Sequence, residues 1–129
     1  MNASTPRKRE SAGFSLKRVY EPAAPDDGLR VLVDRLWPRG IAKNKARIDL
    51  WLKDVAPSDA LRRRYHRDPA KWQDFVAAYD RELKHEPASS AAADLRERGR
   101  SQTITLLYAA RDETHNNAVA LKDWLDGSS

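Results

Sequence analysis

Val31-Leu32-Val33-Asp34-Arg35-Leu36-Trp37-Pro38-Arg39-Gly40 is the stretch from which the fold is read. Its apolar start has the composition of a buried strand. It then passes at once into an aspartate, two arginines, a tryptophan and a Pro/Gly turn, a terminus that strands ending inside a packed core do not carry. Ile104-Thr105-Leu106-Leu107-Tyr108-Ala109-Ala110 repeats the form and runs into Arg111-Asp112-Glu113-Thr114-His115-Asn116-Asn117, followed by a helical pattern. Continuous apolar runs fit strands covered on both faces, as in parallel sheets. Open α/β sheets bind ligands outside the carboxyl ends of their strands. Two runs that each deliver Arg and Asp to such an end therefore point to a shared ligand site, or to an ion-pair network built in the same place.

Outward from these strands, Leu16 to Tyr20 reads as a short first strand, and Glu21 to Gly28, with two prolines and Asp-Asp-Gly, as a loop. Leu29 to Leu36 is the second strand, and the alternation over Ile48 to Lys53 suggests a short third one. Pro57-Ser58-Asp59 caps a helix through about Tyr65. Asp68-Pro69 reads as the N-cap and first position of a helix running to about His85, with Trp72, Phe75, Val76, Tyr79 and Leu83 on one stripe. A helix from Ser89 or Ser90 to Arg98 stops at Gly99, Thr103 to Ala109 is a central strand, and Asn116 to Asp126 is a final helix stopped by Gly127. The expected fold is α/β: a compact three-layer domain with a small, mostly parallel sheet covered by four or five helices. Leu29–Leu36 and Thr103–Ala109 should be adjacent or nearly so.

The chain has 129 residues, no cysteine and a net charge of +5. That length supports one core without staples, and the missing cysteines exclude disulfides and thiolate chemistry. Residues 1–13, with Arg7, Lys8 and Arg9, read as a disordered basic leader and residues 14–129 as a single α/β domain. No apolar run follows the basic cluster, so neither a signal peptide nor a membrane span is expected, and a cytoplasmic location is. Residues 1–18 carry +4, residues 30–67 carry +7 and residues 68–129 carry −3. The first half is locally cationic and suits an anionic partner, while the domain as a whole is not a basic platform.

In the first run, Arg35 and Arg39 offer planar forks for carboxylate or phosphate, Trp37 can stack on a ring, and Lys43 adds a mobile charge. Asp34 either pairs with a nearby Arg or takes part in chemistry. In the second run, Arg111 sits at the strand end, and Asn116 and Asn117 open a helix whose free N–H groups attract anions. Asp112 and His115, three residues apart, can act as an acid/base pair, with Asp112 or Asp34 orienting His115. They can equally be plain capping residues, since Asp112, Thr114 and Asn116 are all good caps. Neither run holds Ser or Cys, so covalent catalysis has no candidate nucleophile. The three histidines, His66, His85 and His115, are scattered, and no metal site is assigned. Dinucleotide, Walker, nucleophile-elbow and zinc-protease motifs are missing, and no cofactor is indicated.

These residues favour binding of a phosphorylated small molecule or nucleotide in a cationic cleft at the strand ends, with His/Asp acid–base chemistry as an option. A nucleic-acid-binding or base-processing role is the alternative, resting on the leader, Arg62-Arg63-Arg64 and the tryptophans. A structural or partner-binding domain without catalysis is the third. Oligomeric state is left open.

Several motifs taken together resemble the YeaO-like branch of a bacterial family named domain of unknown function 488. They are Arg18-Val19-Tyr20, Val31 to Gly40, Trp51-Leu52-Lys53 with Ala56-Pro57-Ser58, Leu61-Arg62, Asp68-Pro69 with Trp72 and Phe75, and Leu106 to Leu121. They span about residues 16–125. The resemblance implies a compact α/β domain and brings no activity with it; a winged-helix regulator does not fit the strand-first order. Relatives tend to read Trp-Phe-Gly-His before Asp-Pro, where this chain has Arg64-Tyr65-His66-Arg67. Any role of that histidine therefore does not pass to His66.

Overall fold

The computed structural model describes residues 13–42 and 47–127. The expected leader lies outside the described residues except for Gly13, which opens the first strand, and Lys43 lies outside them too. Four strands, β1 (Gly13–Arg18), β2 (Leu29–Leu32), β3 (Leu50–Trp51) and β4 (Thr103–Tyr108), form one sheet in the order β1-β4-β2-β3. Every pairing is parallel, and β2 lies directly against β4 with Leu29 opposite Ile104 and Val31 opposite Leu106. The two decisive runs are thus neighbours whose carboxyl ends emerge side by side. Four α-helices follow: α1 (Asp59–Arg67), α2 (Trp72–Glu82), α3 (Ala88–Arg98) and α4 (Asn117–Gly127).

Strand alternation sorts the side chains into two faces. Phe14, Leu16, Leu29, Val31, Val33, Leu50, Leu52, Ile104, Leu106 and Tyr108 join one apolar cluster, together with Leu61, Phe75, Tyr79, Leu83, Leu95, Leu121 and Leu125 from all four helices. All four helices therefore cover this face. Val19, Leu32 and Leu107 form a smaller cluster on the other face, against Trp37, Ile41, Ile48, Trp51 and Ala109. The third layer there is irregular chain and a 3-10 turn (Pro25–Asp27) instead of a helix. The topology accounts for this division. The two short connections, β1 to β2 and β2 to β3, step one way across the second face. The long connection through α1, α2 and α3 steps back across the first. Opposite steps over opposite faces share one hand, as parallel crossovers require.

The β1–β2 connection needs only residues 19–28 because it lies flat on the sheet. Gly28 sits at φ +66°, and a Cβ there would fall 2.2 Å from the Thr103 carbonyl oxygen. The Thr105 hydroxyl donates to the Asp27 carbonyl (2.6 Å). The Asp27 carboxylate, only 7% exposed, takes Arg30 (2.6 Å) and Lys17 (2.8 Å). A buried polar cluster thus pins the crossover to the sheet.

Several boundaries differ from the sequence reading. The first strand begins at Gly13 instead of Leu16, because Phe14 belongs to the core. The second ends at Leu32 instead of Leu36, with one further ladder bond from Val33 N–H to the Leu107 carbonyl (3.1 Å) before Asp34 turns the chain away. Asp68 does not cap α2. Its N–H closes α1 on the Arg64 and Tyr65 carbonyls (3.2 and 3.1 Å), and α2 starts at Trp72 with Lys71 as its cap residue. A residue before proline is pushed out of the helical region, and Asp68, at φ −141°, ψ 73°, obeys that bias. Asn116 proves to be the cap of α4, its Oδ1 accepting from Val119 N–H (2.9 Å).

Candidate functional site

At the carboxyl ends of β2 and β4 the two runs meet at Asp34. One oxygen of its partly buried carboxylate accepts from the Ala109 N–H (2.9 Å), and the other from the Asn117 amide (3.0 Å). The same amide donates to the Val33 carbonyl (3.1 Å), and the indole N–H of Trp51 donates to the Asp34 carbonyl (2.8 Å). β2, β3, β4 and the start of α4 are therefore joined through one residue. The side chain takes over where the β2–β4 ladder stops, supplying an acceptor to a strand N–H that has lost its backbone partner. Burial pushes the Asp34 carboxyl above the ordinary carboxylate range, against the opposing hydrogen bonds from Asn117 and Ala109 and the charge of Arg62.

The turn before α4 is organised by Asp112. Its Oδ1 accepts from the N–H groups of Thr114 and His115 (2.9 Å each) and from the Thr114 hydroxyl (3.0 Å), bonds that hold its carboxyl below the usual range. The buried Asn116 amide donates to the Asp112 carbonyl (2.8 Å). Asp112 thus hydrogen-bonds the backbone of His115, and the ring acts on it only through charge. The His115 ring stacks on Trp72, with centroids 4.8 Å apart and planes at 25°, and the Tyr65 hydroxyl lies 3.5 Å from the His115 carbonyl oxygen. Phe75 stacks on Tyr65 (4.6 Å) and on Trp72 (5.6 Å), while Tyr65 and Trp72 meet tilted at 53° (5.7 Å). His115 thereby closes a half-exposed aromatic platform between α1, α2 and the head of α4. Burial and the nearby Asp112 charge raise the Tyr65 hydroxyl above its ordinary range.

The remaining candidates diverge. Arg35 turns toward α1, its Nε donating to the Pro57 carbonyl (2.9 Å), where it lines a mixed-charge cleft of about 480 Å³ with Asp54, Arg81, Glu82, His85 and Glu86. Trp37 goes to the second face, edge-on to Trp51 (5.3 Å, 67°), with its indole N–H on the Ile41 carbonyl (2.7 Å). Arg39 is exposed on that side, and its carbonyl accepts from Tyr20 (2.9 Å). Arg111 is exposed at the end of β4. The structure therefore brings together Asp34 with Asn117, and Asp112 with His115 and Asn116. It does not bring Trp37 or Arg39 to either group.

Three residues not singled out as site residues lie in this region. Tyr65 and Trp72 build the platform, and Arg62, whose Nε is buried without a partner among the described residues, approaches Asp34. Tyr65 lies in the Arg64-Tyr65-His66-Arg67 segment that the sequence reading marked only as a departure from the family pattern. Trp72 lies on a stripe that also serves the core, so its spacing did not mark it as part of a surface. Among the described residues no three His, Asp or Glu side chains converge as a metal site would require.

Residues 13–128 match the family described as "Inactive DUF488-N3 subclade". The "Uncharacterized protein YeaO" of Escherichia coli (strain K12) is 44% identical over 110 residues, covering 84% of this chain and 93% of the relative. The "Uncharacterized protein Rv3073c" of Mycobacterium tuberculosis (strain ATCC 25618 / H37Rv) is also 44% identical over 110 residues, covering 85% and 91%. No solved structure matches the chain significantly. Match and identity span nearly all of the described fold, and the chain belongs to the DUF488 family, in its YeaO-like branch.

Proposed function

We propose that the domain binds an anionic, phosphate-bearing ligand, a phosphorylated small molecule or a nucleotide, at the carboxyl ends of β2 and β4, and does so without turning it over. One observation carries this reading: at the strand ends Asp34 is fully engaged by the protein itself and a cation is available. Both oxygens of Asp34 are taken by Ala109 and Asn117, and the bonds to Asp112 close a capping turn. Arg111 beside them is exposed and has no side-chain partner among the described residues. A general base needs a lone pair within reach of substrate; Asp34 is partly buried with both oxygens engaged, and Asp112 spends Oδ1 on its own turn. The His115–Trp72 stack offers a surface for a nucleobase. The family's description as inactive agrees with binding that stops short of chemistry. A cytoplasmic location belongs to the same reading. Among the described residues no helix is long and apolar enough to cross a membrane.

The test is thermal denaturation with nucleotides, sugar phosphates and inorganic phosphate, followed by calorimetry and product analysis. A ligand at about a hundred times its dissociation constant should add about 2.7 kcal/mol. Arg111→Ala should weaken binding at least tenfold, and no product should form. No stabilisation by any of these ligands, or turnover that His115→Ala abolishes, overturns the proposal. A second reading, nucleic-acid binding, is favoured by exposed Arg64 and Arg67 on α1 beside the adjoining rings of Tyr65 and Trp72. Its signature is a steep loss of affinity with salt on single-stranded DNA, which a small-ligand site does not show.

A further inference from the structure

The sheet ends on one side in β1, and the hydrogen-bond phase of that strand fixes what its free edge presents. Gly13 N–H donates to the Gln102 carbonyl (3.4 Å) and Val19 N–H to the Tyr108 carbonyl (2.8 Å). In a parallel ladder, alternate residues direct both backbone groups to the same neighbour. Gly13, Ser15, Lys17 and Val19 therefore face β4, and Phe14, Leu16 and Arg18 face outward. The Arg18 carbonyl is taken by Glu21 N–H (3.0 Å). This leaves the N–H and C=O of Phe14 and Leu16, and the N–H of Arg18, as a row without a partner among the described residues. Exposed edges of this kind are usually blunted by lysines, bulges or prolines. Here both cations of the strand are drawn back onto their own chain: Lys17 onto Asp27 (2.8 Å) and the Pro22 carbonyl (3.1 Å), Arg18 onto the Ala109 and Ala110 carbonyls (2.9 Å each).

We propose that β1 pairs with β1 of a second copy of this chain, antiparallel about a two-fold axis through Ser15, to make one continuous eight-stranded sheet. In this register Phe14 lies opposite Leu16 of the other copy and Leu16 opposite its Phe14. The four groups of Phe14 and Leu16 on each copy are then used, in four interchain hydrogen bonds. Lys17 falls opposite Gly13, so no like charges meet. Phe14 and Leu16, half-buried on the helical face, extend their apolar face across the seam. Exposed Ser15 meets its own copy as the closely spaced, non-hydrogen-bonded pair. The occupant is a second copy because the edge is self-complementary: two adjacent outward dyads match themselves when rotated. An isologous two-fold contact is also the commonest way a single chain closes its own edge.

Ser15 facing itself makes the proposal testable by crosslinking, since the chain has no cysteine of its own. In the full-length protein, Ser15→Cys should oxidise to a disulfide-linked dimer as the main product, because paired Cα atoms about 4.5 Å apart lie within disulfide reach. Ser90→Cys, on exposed α3, should stay mostly monomeric under the same oxidation. Sedimentation equilibrium of the unmodified protein should show a reversible dimer in the micromolar to millimolar range. Leu16→Pro removes an outward N–H and leaves the ladder to β4 intact, and should shift that equilibrium to monomer with unchanged far-UV circular dichroism. A protein that stays monomeric throughout, or crosslinks no more readily at Ser15→Cys than at Ser90→Cys, overturns the proposal. Should Leu16→Pro fail to fold, the crosslinking comparison decides alone.

Discussion

Asp34 is the residue on which the carboxyl end of the sheet depends, and it behaves as a joint. Replacing it with Ala strips the Ala109 N–H and the Asn117 amide of their acceptor at once, and each unsatisfied buried donor costs about 1–3 kcal/mol. Asp34→Ala should therefore lower unfolding stability by about 3 kcal/mol in urea titrations, with the m-value unchanged. Asp34→Asn, which keeps one acceptor, should fall between the two. A loss below half a kcal/mol for Ala would mean that the clasp is not holding the strands. The sequence told that Asp34, Asp112, Asn116 and Asn117 gather at one end of the sheet, because strand ends and helix starts are marked by composition. It did not tell which acids are spent on the backbone. That depends on where a ladder stops, a matter of one residue, and two runs far apart in sequence had to be placed side by side before Ala109 was seen to need Asp34.

Elements were legible wherever the apolar residues formed an unbroken run or one regular stripe. The central strand is a continuous apolar run and the α2 stripe and last helix follow a helical period, and all three elements form where they were expected, with shifted ends. Boundaries failed where two local signals competed. Asp68-Pro69 is an acceptable helix start by composition, yet the same pair is a helix stop because proline restricts the residue before it. Gly99 shows a different confusion. As a glycine after a helix it suggests a left-handed cap, but its φ is −68°, within the ordinary helical range. What requires glycine there is tertiary: a Cβ would lie 2.7 Å from the Phe14 ring. Gly99→Ala should thus cost about 1–3 kcal/mol through overpacking against β1. Chemical denaturation of Gly99→Ala beside Gly99→Ala/Phe14→Leu measures this, and the smaller ring should recover part of the loss. Additive effects in the double variant would show that the contact is not the cause.

At the scale of the whole molecule, the sheet is covered unequally, and the thin side is held by charge. Four helices bury one face in a continuous apolar cluster. The other face keeps a small cluster and relies on the crossover pinned by Asp27, Lys17 and Arg30. This asymmetry was not legible beforehand, because a layer of helices and a layer of ordered loop both demand apolar strands beneath them. It has a consequence for acid stability. Burial alone would raise the Asp27 carboxyl, but the hydrogen bonds from Lys17, the Ala24 N–H and Arg30 prevail and bring it from 3.8 to about 2. A carboxyl whose pKa is lower in the folded than in the unfolded state contributes stability that is complete above the unfolded value. That stability is lost as the pH falls through the folded one. The protein should accordingly lose stability between about pH 4 and pH 2, the crossover loosening as Asp27 takes up its proton. Asp27→Asn should be less stable by about 3 kcal/mol at neutral pH, since it leaves two cations over a buried neutral group. It should also show a shallower decline through that acid window. Exposed carboxylates such as Asp112 and Glu86 titrate alike in both proteins, so urea titrations at stepped pH isolate Asp27 as the difference. Parallel curves for the two proteins down to pH 2 would show that the charge on Asp27 does not hold this layer.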